Sequence, residues 1–418
     1  MTVNLRAVTV AGVVLLALIT AGEVSAGEIK TLRGANGFEI LTVSSDGKSA
    51  VALKDSKYCK VSFVPGGVVE DKVIEAGSAY APRFQASGDL STVITKIKSP
   101  MQYVIYNEQA DSYQRELFTQ ALGYSVTRDA RISSNGDALL SKVSSGYKLA
   151  TRTSAGWSSI DLQSGACSSV KLWGLNGDGS VAYGYGYVSG VSRAIYYKQT
   201  SDGMNAPIYV DQHISSNPKY SNVSLTSAAV SNNAGNMLAG FATTGDKNAL
   251  FLADIEADGS AESVEIIEKI YSWDKTAKKM GESIYIDSLL SAGTLDWVNI
   301  SDAGNVAVGN FTGFDVTDNF AFVWFADREI TLEDGTIETG FAMRLDEYAT
   351  MQGLVLENGA DLIISEIVGL SDNGHVFTCA DKTGAAIVNY QLTLPEPASL
   401  AILIAGGAVL LKRRKKSA

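Results

Sequence analysis

The sequence is poor in the residues that most hydrolytic and metal-dependent chemistry requires. Among 418 residues it has two histidines, His213 and His375, and three cysteines, Cys59, Cys167 and Cys379. A histidine-based metal site or a Ser-His-Asp triad would need both histidines, or one acting alone. The cysteines are too few and too scattered for a disulfide framework or a zinc site. We therefore expect no catalytic residues, no metal and no cofactor.

Proline and basic residues are also scarce. The chain has seven prolines, forty glycines and a formal net charge of −11. Six basic residues but only two acidic ones lie in the two terminal segments described below, so the body between them is more acidic still. With 46% hydrophobic residues, this composition is typical of a globular chain. Because an acidic surface repels phosphate, we expect no nucleic-acid partner.

The N-terminus has the pattern of an export signal. Arg6 supplies a positive charge, residues 7–21 form an apolar run, and Val24, Ser25 and Ala26 fit a small-residue cleavage site. This pattern predicts a signal peptide over residues 1–26, cleaved after Ala26. The alternative is an uncleaved anchor helix.

The C-terminus combines three parts in a fixed order. Pro395, Glu396 and Pro397 precede an uncharged apolar run over residues 398–411. A basic cluster follows, which consists of Lys412, Arg413, Arg414, Lys415 and Lys416. An apolar run partitions into a bilayer, while a basic cluster stays on the cytoplasmic side. We therefore expect a single hydrophobic helix over the apolar run.

In this order and composition, residues 395–418 resemble the PEP-CTERM sorting signal of Gram-negative bacteria that make exopolysaccharide. The resemblance implies that an exosortase, a membrane-embedded cysteine transpeptidase, recognises Pro395, Glu396 and Pro397. It also implies that the inner membrane holds the chain only transiently. The processed protein would reach the cell surface or the extracellular matrix, where extracellular polysaccharide would be its partner. The resemblance indicates a destination and no activity.

A short pattern recurs between these signals, within residues 27–394. It consists of an apolar residue, Ser or Asn, two polar residues and a glycine, and a β-rich run follows it. The pattern occurs at 43–47, 132–136, 175–179, 300–304 and 370–374, and in a looser form at 84–88 and 231–235. Glycine supplies the positive φ of a tight turn, and Ser or Asn can hydrogen-bond the turn backbone. The predicted turn glycines are Gly47, Gly88, Gly136, Gly179, Gly235, Gly304 and Gly374. Since a propeller blade repeats at about 40–50 residues, the pattern predicts an all-β fold, a β-propeller of about seven blades.

A second element follows several of the turns. It occupies residues 193–197, 248–252, 320–324 and 385–388, which we interpret as inner strands whose aromatic residues pack between blades. With it, the body resembles the extracellular HAF-repeat proteins, which often carry the same C-terminal signal. The resemblance implies a β-propeller. That family begins the element with His, which Arg193, Asn248 and Phe320 replace here.

Two insertions favour short helices. Residues 346–358 have apolar residues at helical spacing and end at Gly359, and residues 281–293 fit a shorter equivalent. Residues 254–280 are the most charged stretch and favour an exposed β-hairpin or loop.

Several residue groups have more than one interpretation. The aspartates of the turns are too isolated for a calcium loop and fit turn formation; they are Asp46, Asp178, Asp302 and Asp372. Tyr183, Tyr185 and Tyr187 alternate with glycine, which suits packing between blades, with sugar stacking as the alternative. Trp273 is the best candidate for an exposed aromatic residue. Cys59 and Cys379, near the two ends of the repeat array, would fasten a closed ring if they formed a disulfide.

These observations together predict an exported structural or adhesive protein of the cell surface or exopolysaccharide matrix, and no enzyme. Two alternatives remain open. A glycan-binding module would use an exposed aromatic residue such as Trp273. A polysaccharide-active enzyme would place a pair of acids in the central funnel of the propeller.

Overall fold

The computed structural model describes most of the chain between the two terminal signals. The described residues are 27–32, 38–55, 57–64, 67–76, 85–98, 101–110, 112–126, 129–199, 206–212, 214, 220–255, 261–356, 359–384 and 386–394. The predicted signal peptide with its cleavage site at Ala26, and the sorting signal over 395–418 with its hydrophobic helix, lie outside them. No helix within the described ranges is long and apolar enough to cross a membrane.

The chain divides into two units. Ile29–Leu392 forms one of them, and Met1–Glu28 with Thr393–Ala418 forms the other, which falls almost wholly outside the described residues. The first unit contains seven four-stranded sheets. This confirms the predicted all-β propeller of seven blades.

The first three blades follow a short N-terminal strand, β1 (Glu28–Thr31). Blade 1 contains β2 (Glu39–Val43), β3 (Ser49–Lys54), β4 (Lys57–Val64) and β5 (Gly67–Ala76). Blade 2 contains β6 (Gln85–Ala86), β7 (Thr92–Lys98), β8 (Met101–Glu108) and β9 (Tyr113–Leu117). Blade 3 contains β10 (Ala130–Ile132), β11 (Ala138–Val143), β12 (Gly146–Thr153) and β13 (Gly156–Leu162).

The next two blades have the same strand order. Blade 4 contains β14 (Ser169–Leu175), β15 (Val181–Val188), β16 (Val191–Lys198) and β17 (Ile208–Tyr209). Blade 5 contains β18 (Val223–Ser231), β19 (Met237–Thr244), β20 (Lys247–Ile255) and β21 (Ala261–Ile267). Two small strand pairs follow: β22 (Lys269–Ile270) with β25 (Ile284–Tyr285), and β23 (Trp273–Asp274) with β24 (Lys279–Met280). Only the second pair is the predicted hairpin, because β21 takes part of the charged stretch into blade 5.

The last two blades complete the ring. Blade 6 contains β26 (Gly293–Ile300), β27 (Val306–Gly313), β28 (Phe320–Thr331) and β29 (Ile337–Arg344). Blade 7 contains β30 (Glu366–Leu370), β31 (Val376–Asp381) and β32 (Val388–Thr393), and β1 supplies its fourth strand. The first and last strands of the propeller are therefore paired in one sheet, so closure rests on hydrogen bonds. Leu32 N–H donates to the carbonyl of Asn389 at 2.9 Å.

The three cysteines are free and buried. The Sγ of Cys59 lies 3.6 Å from the carbonyl oxygen of Ala52, and the Sγ of Cys379 lies 3.9 Å from that of Tyr390. Each contact is made inside the cysteine's own blade. The hypothesised Cys59–Cys379 disulfide is therefore absent, and strand pairing holds the ends of the ring together.

Within the described residues, three short helices lie between successive blades: α1 (Phe118–Leu122), α2 (Ile286–Ala292) and α3 (Leu345–Met351). The two predicted helical insertions correspond to α2 and α3. The third, α1, was not predicted, because its five residues are too few to show a helical period.

The predicted inner strands are in fact third strands. The residues at 193–197, 248–252 and 320–324 lie in β16, β20 and β28, while the first strand of each blade lines the axis. Tyr196, Phe251 and Phe322 are fully buried there, packed against neighbouring blades. A strand covered on both faces is apolar throughout, so its sequence resembles that of any other buried strand.

Candidate functional site

The repeated turn is built by hydrogen bonds between its own residues. In blade 1, Gly47 N–H donates to the carbonyl of Ser44 at 2.8 Å, and the Ser44 hydroxyl donates to Asp46 Oδ1 at 2.7 Å. Ser49 N–H donates back to Ser44 Oγ at 3.0 Å. Burial raises the pKa of Asp46, but hydrogen bonds from Ser44 and Lys48 outweigh burial, and the pKa is lowered overall. This aspartate is thus occupied in forming the turn.

Six of the predicted turn glycines have the positive φ that the turn needs: Gly47 (70°), Gly136 (78°), Gly179 (79°), Gly235 (73°), Gly304 (71°) and Gly374 (75°). Gly88 does not, and Leu90 adopts φ 60° in its place. Leu90 N–H closes this turn on the carbonyl of Ser87 at 2.9 Å. The blade 2 turn therefore lies two positions later than the pattern predicted. Complete burial of the Leu90 side chain offsets the backbone strain.

The seven turns also hydrogen-bond one another around the axis. The donors and acceptors are Ser45 N to Gly88 O (2.7 Å), Gly88 N to Ser134 O (2.5 Å), Asn135 N to Gly177 O (2.8 Å), Gly177 N to Asn233 O (2.9 Å), Asn232 Nδ2 to Asp302 O (3.0 Å), Asp302 N to Asp372 O (2.8 Å) and Asp372 N to Ser45 O (2.9 Å). These bonds form a closed circuit, which we call the turn ring. It links every blade to both neighbours where the first strands end.

A cavity of about 360 Å³ lies on the axis next to the turn ring, and all seven blades line it. Its polar lining consists of Thr42, Ser45, Gln85, Arg131, Ser134, Ser231, Asn233, Asn299 and Asp372. Among the described residues that line this axial cavity, one is a carboxylate and one a guanidinium. The acid pair required by the enzyme alternative is not among them.

The two charged groups of the axial cavity are held differently. Arg131 donates from Nε to the carbonyl of Trp173 at 2.6 Å, and from Nη1 to that of Ala130 at 3.0 Å. Burial raises the pKa of the Asp372 carboxyl, and the nearby charge of Asp302 adds to this effect. Hydrogen bonds from the side chains of Ser45 and Asn233 lower this pKa, but they do not cancel the rise.

The first strands of five blades contain a β-bulge at the same distance before the turn glycine. The unpaired residues are Leu41, Trp173, Ala229, Val298 and Val368. A bulge re-aims its side chain, and three of these residues, Leu41, Trp173 and Val298, line the axial cavity. Four of the five are aliphatic, so blade 4 departs from the pattern by having a tryptophan.

Trp173 begins a series of ring contacts along blade 4. Its ring centroid lies 6.0 Å from that of Tyr185, which lies 5.6 Å from that of Tyr187 at an interplanar angle of 87°. Lys171 Nζ lies 3.9 Å from the centroid of Trp173. We call Lys171, Trp173, Tyr185 and Tyr187 the blade 4 ladder. Tyr187 is 39% exposed, while the other three are half-buried.

Tyr183 differs from the other two tyrosines of its strand. It is buried against blade 5, and burial raises its pKa to about 12. The predicted packing between blades therefore describes Tyr183, while Tyr185 and Tyr187 form an accessible surface.

Trp273, the residue favoured from sequence as an exposed aromatic, is half-buried. Its backbone N–H donates to Glu347 Oε2 at 2.6 Å. Its side chain lines a cavity of about 350 Å³ together with Met280, Met351 and residues of β28. Trp273 thus helps to attach the hairpin to blade 6.

Another cavity, of about 430 Å³, lies between blades 5 and 6 and has acidic residues in its lining. These acids bond to the fold: Tyr271 OH donates to Glu338, Lys269 Nζ lies 3.5 Å from Glu338, and Trp324 Nε1 donates to Glu265 at 2.9 Å. No group of three or more metal-ligating side chains occurs among the described residues. His375 follows the blade 7 turn and does not line the axial cavity, and His213 lies outside the described residues.

Sequence reasoning missed Arg131 and Lys171 as site residues. Each lies in the first strand of its blade, and neither belongs to a motif. They belong to the site because both contact Trp173, whose side chain is placed by the β-bulge. The available signal was the tryptophan at a place where other repeats have an aliphatic residue.

No family model and no curated protein matches this chain. Solved structures do match. Oligogalacturonate lyase from Vibrio parahaemolyticus is 10% identical with a TM-score of 0.47, over 88% of this chain and 94% of that one. Hydrazine synthase from Kuenenia stuttgartiensis is 11% identical with a TM-score of 0.44, over 85% and 95%. The Cps50 β-propeller domain from Myceliophteria thermophila is 10% identical with a TM-score of 0.43, over 87% and 99%. We assign no activity or partner from these similarities.

Proposed function

We propose that this protein is exported and serves a structural or adhesive role at the cell surface or in the exopolysaccharide matrix. The observation that carries the proposal is the order of the C-terminal sequence: Pro395, Glu396 and Pro397, an apolar run, and a basic cluster over 412–416. An exosortase would recognise the first part while the second holds the chain in the inner membrane.

The state of the thiols is compatible with export. Burial raises the pKa of the Cys59 thiol to about 11, and the nearby Glu70 contributes to this. Burial also raises the pKa of Cys379. Since the thiolate is the reactive form, both residues resist oxidation outside the cell.

The turn ring supports a structural role. Its hydrogen bonds join backbone to backbone in six of seven links, and β1 pairs with β32 to close the last blade. A module whose blades are hydrogen-bonded to one another all round the axis resists forces that would open the ring. This suits a protein held in a polymer network.

The test is the intact mass and both termini of the protein from the extracellular matrix fraction. We expect termini near Gly27 and the Pro395–Pro397 motif. Replacing Pro395 and Pro397 by Ala should leave an unprocessed protein in the membrane fraction, while Pro207→Ala, a proline of the propeller, should be processed normally. A wild-type protein that keeps Lys412–Lys416 in the membrane fraction would contradict the proposal.

We propose glycan binding as a second function, favoured by the accessible rings of Tyr185 and Tyr187. An enzymatic function is less well supported, because the axial cavity has one carboxylate in its described lining, where glycoside hydrolysis ordinarily uses two.

A further inference from the structure

The seven repeats make it possible to compare blade 4 with its own relatives in the chain. The residues of blade 6 that correspond to Tyr183, Tyr185 and Tyr187 are Val308, Asn310 and Thr312, as counted from the turn glycine. In blade 1 they are Val51, Leu53 and Asp55. In both of these blades the buried first position is filled by valine, so packing there does not require an aromatic side chain.

The outermost position, that of Tyr187, has less structural reason to be aromatic than the middle one, where blade 5 has the half-buried Phe241. Tyr187 is 39% exposed, and its edge-to-face contact is with Tyr185, another ladder residue. Across the sheet, Tyr187 pairs with Ser169 and Ser192, which offer no apolar partner for the ring. A large aromatic residue there contributes little to the core.

Cations lie beside the ladder although the protein is acidic. Lys171 Nζ lies over the Trp173 ring, and the Arg131 guanidinium is bonded to the Trp173 carbonyl. Neither side chain forms an ion pair within the described part of the chain. Each positive charge is therefore available to an anion brought next to the tryptophan.

We propose that the blade 4 ladder binds an acidic polysaccharide, one whose pyranose units carry carboxylates. The apolar face of one sugar would stack on Tyr187 and Tyr185, and the carboxylate of a sugar unit would pair with Lys171. The axial cavity, which Trp173 lines, would receive the end or a substituent of the chain. This inference deepens the proposed function, on which it rests, by naming the matrix polymer as a polyuronate.

The test measures calorimetric binding by the exported protein, purified as the host releases it. Alginate is the polyuronate probe and dextran the neutral one. We expect saturable binding of alginate and none of dextran. Tyr187→Ala should weaken alginate binding about tenfold, because it removes the most exposed ring on which a sugar would stack. Lys171→Gln should weaken it about threefold and reduce the salt dependence.

Tyr285→Ala and Lys247→Gln are the matched controls. Both residues are exposed and line another cavity of about 240 Å³, next to Asp287. Neither substitution should change alginate binding, and thermal unfolding of all four variants should match the wild type.

Three results would overturn the proposal: no alginate binding, equal binding of dextran, or equal losses in the ladder variants and the controls. None of them bears on export, which the termini of the matrix protein test separately. Correct processing without alginate binding would leave the proposed destination intact and reject the ladder as its polymer site.

Discussion

The turn ring predicts that Gly177→Ala destabilises the propeller although glycine is not needed there for its φ. A Cβ at this position would lie 2.7 Å from Asn233 Cβ and 2.8 Å from the Asn233 carbonyl oxygen. The obstacle includes backbone, so side-chain rotation alone cannot relieve it. The segment must move away from blade 5, and that movement lengthens the Gly177 N–H bond to Asn233 and strains the bond that Asn135 donates.

The magnitude follows from three effects. Weakening two backbone hydrogen bonds costs about 2 kcal/mol, and overpacking costs about 1–3 kcal/mol. Against them, an alanine reduces the freedom of the unfolded chain and stabilises by about 0.4–1 kcal/mol. The free energy of unfolding should therefore fall by about 2–4.5 kcal/mol. Guanidinium unfolding monitored by tryptophan fluorescence would measure it as a lower midpoint with an unchanged slope.

Two further alanine variants make the comparison decisive. At Gly88 a Cβ would meet the hydroxyls of Ser45 and Ser134, which can rotate away. The rotation loses their 3.3 Å contact and weakens the Ser45 bond to Asp372, so we expect about 1–2 kcal/mol. At Gly384 the nearest atom would be 3.9 Å away, and the change should stay within about 0.5 kcal/mol. If Gly177→Ala behaved like Gly384→Ala, the turn ring would not contribute to stability as argued.

Two other predictions concern ionisable groups. The pKa of Asp372 is higher in the folded state than in the unfolded state. Its favourable contribution to the free energy of unfolding is therefore fully present below the unfolded-state pKa, and it is lost as pH rises through the folded-state pKa. Asp372→Asn should therefore raise the unfolding midpoint at pH 7, with the gain vanishing near pH 3. A gain that grows on acidification would contradict this. In a Cys167→Ser variant, Cys59 and Cys379 should both remain unreactive to a disulfide reagent at pH 8 and both react after unfolding, since burial raises their pKa. Rapid labelling of either thiol in the native protein would refute the burial argument.

The fold could be predicted from the sequence because its strongest signal is local. A glycine at positive φ, next to short polar residues that bond the same turn, occurs in six of the seven blades and needs no knowledge of distant residues. The error in blade 2 shows the limit of that signal. Ser87 and Asp89 keep the bonding pattern while Leu90 takes the left-handed position, so the most visible glycine, Gly88, was not the turn glycine.

The candidate site could not be predicted in the same way, because it depends on register. Alternation of Tyr183, Tyr185 and Tyr187 shows that they share a face, but not where that face emerges from between two blades. Burial falls along the strand from Tyr183 to Tyr187, and only the paired strands show this. Trp173 points to the axial cavity because of a bulge, and a bulge is defined by pairing with β15 and has no marker in β14 itself.

The turn ring also explains how one repeat can provide a cavity with several chemical groups. Each link between neighbouring turns uses at least one backbone atom at the position after the first turn residue, and five of the seven use no other position. The side chain at that position is therefore not fixed by the link. That position is Ser45, Gly88, Ser134, Gly177, Asn233, Asp302 and Asp372 in the seven blades, and five of these residues line the axial cavity: Ser45, Gly88, Ser134, Asn233 and Asp372. Closure of the ring and the chemistry of its cavity are therefore separable. Sequence can change on the axis without opening the propeller, except where, as at Gly177, a neighbouring backbone already occupies the space of a side chain.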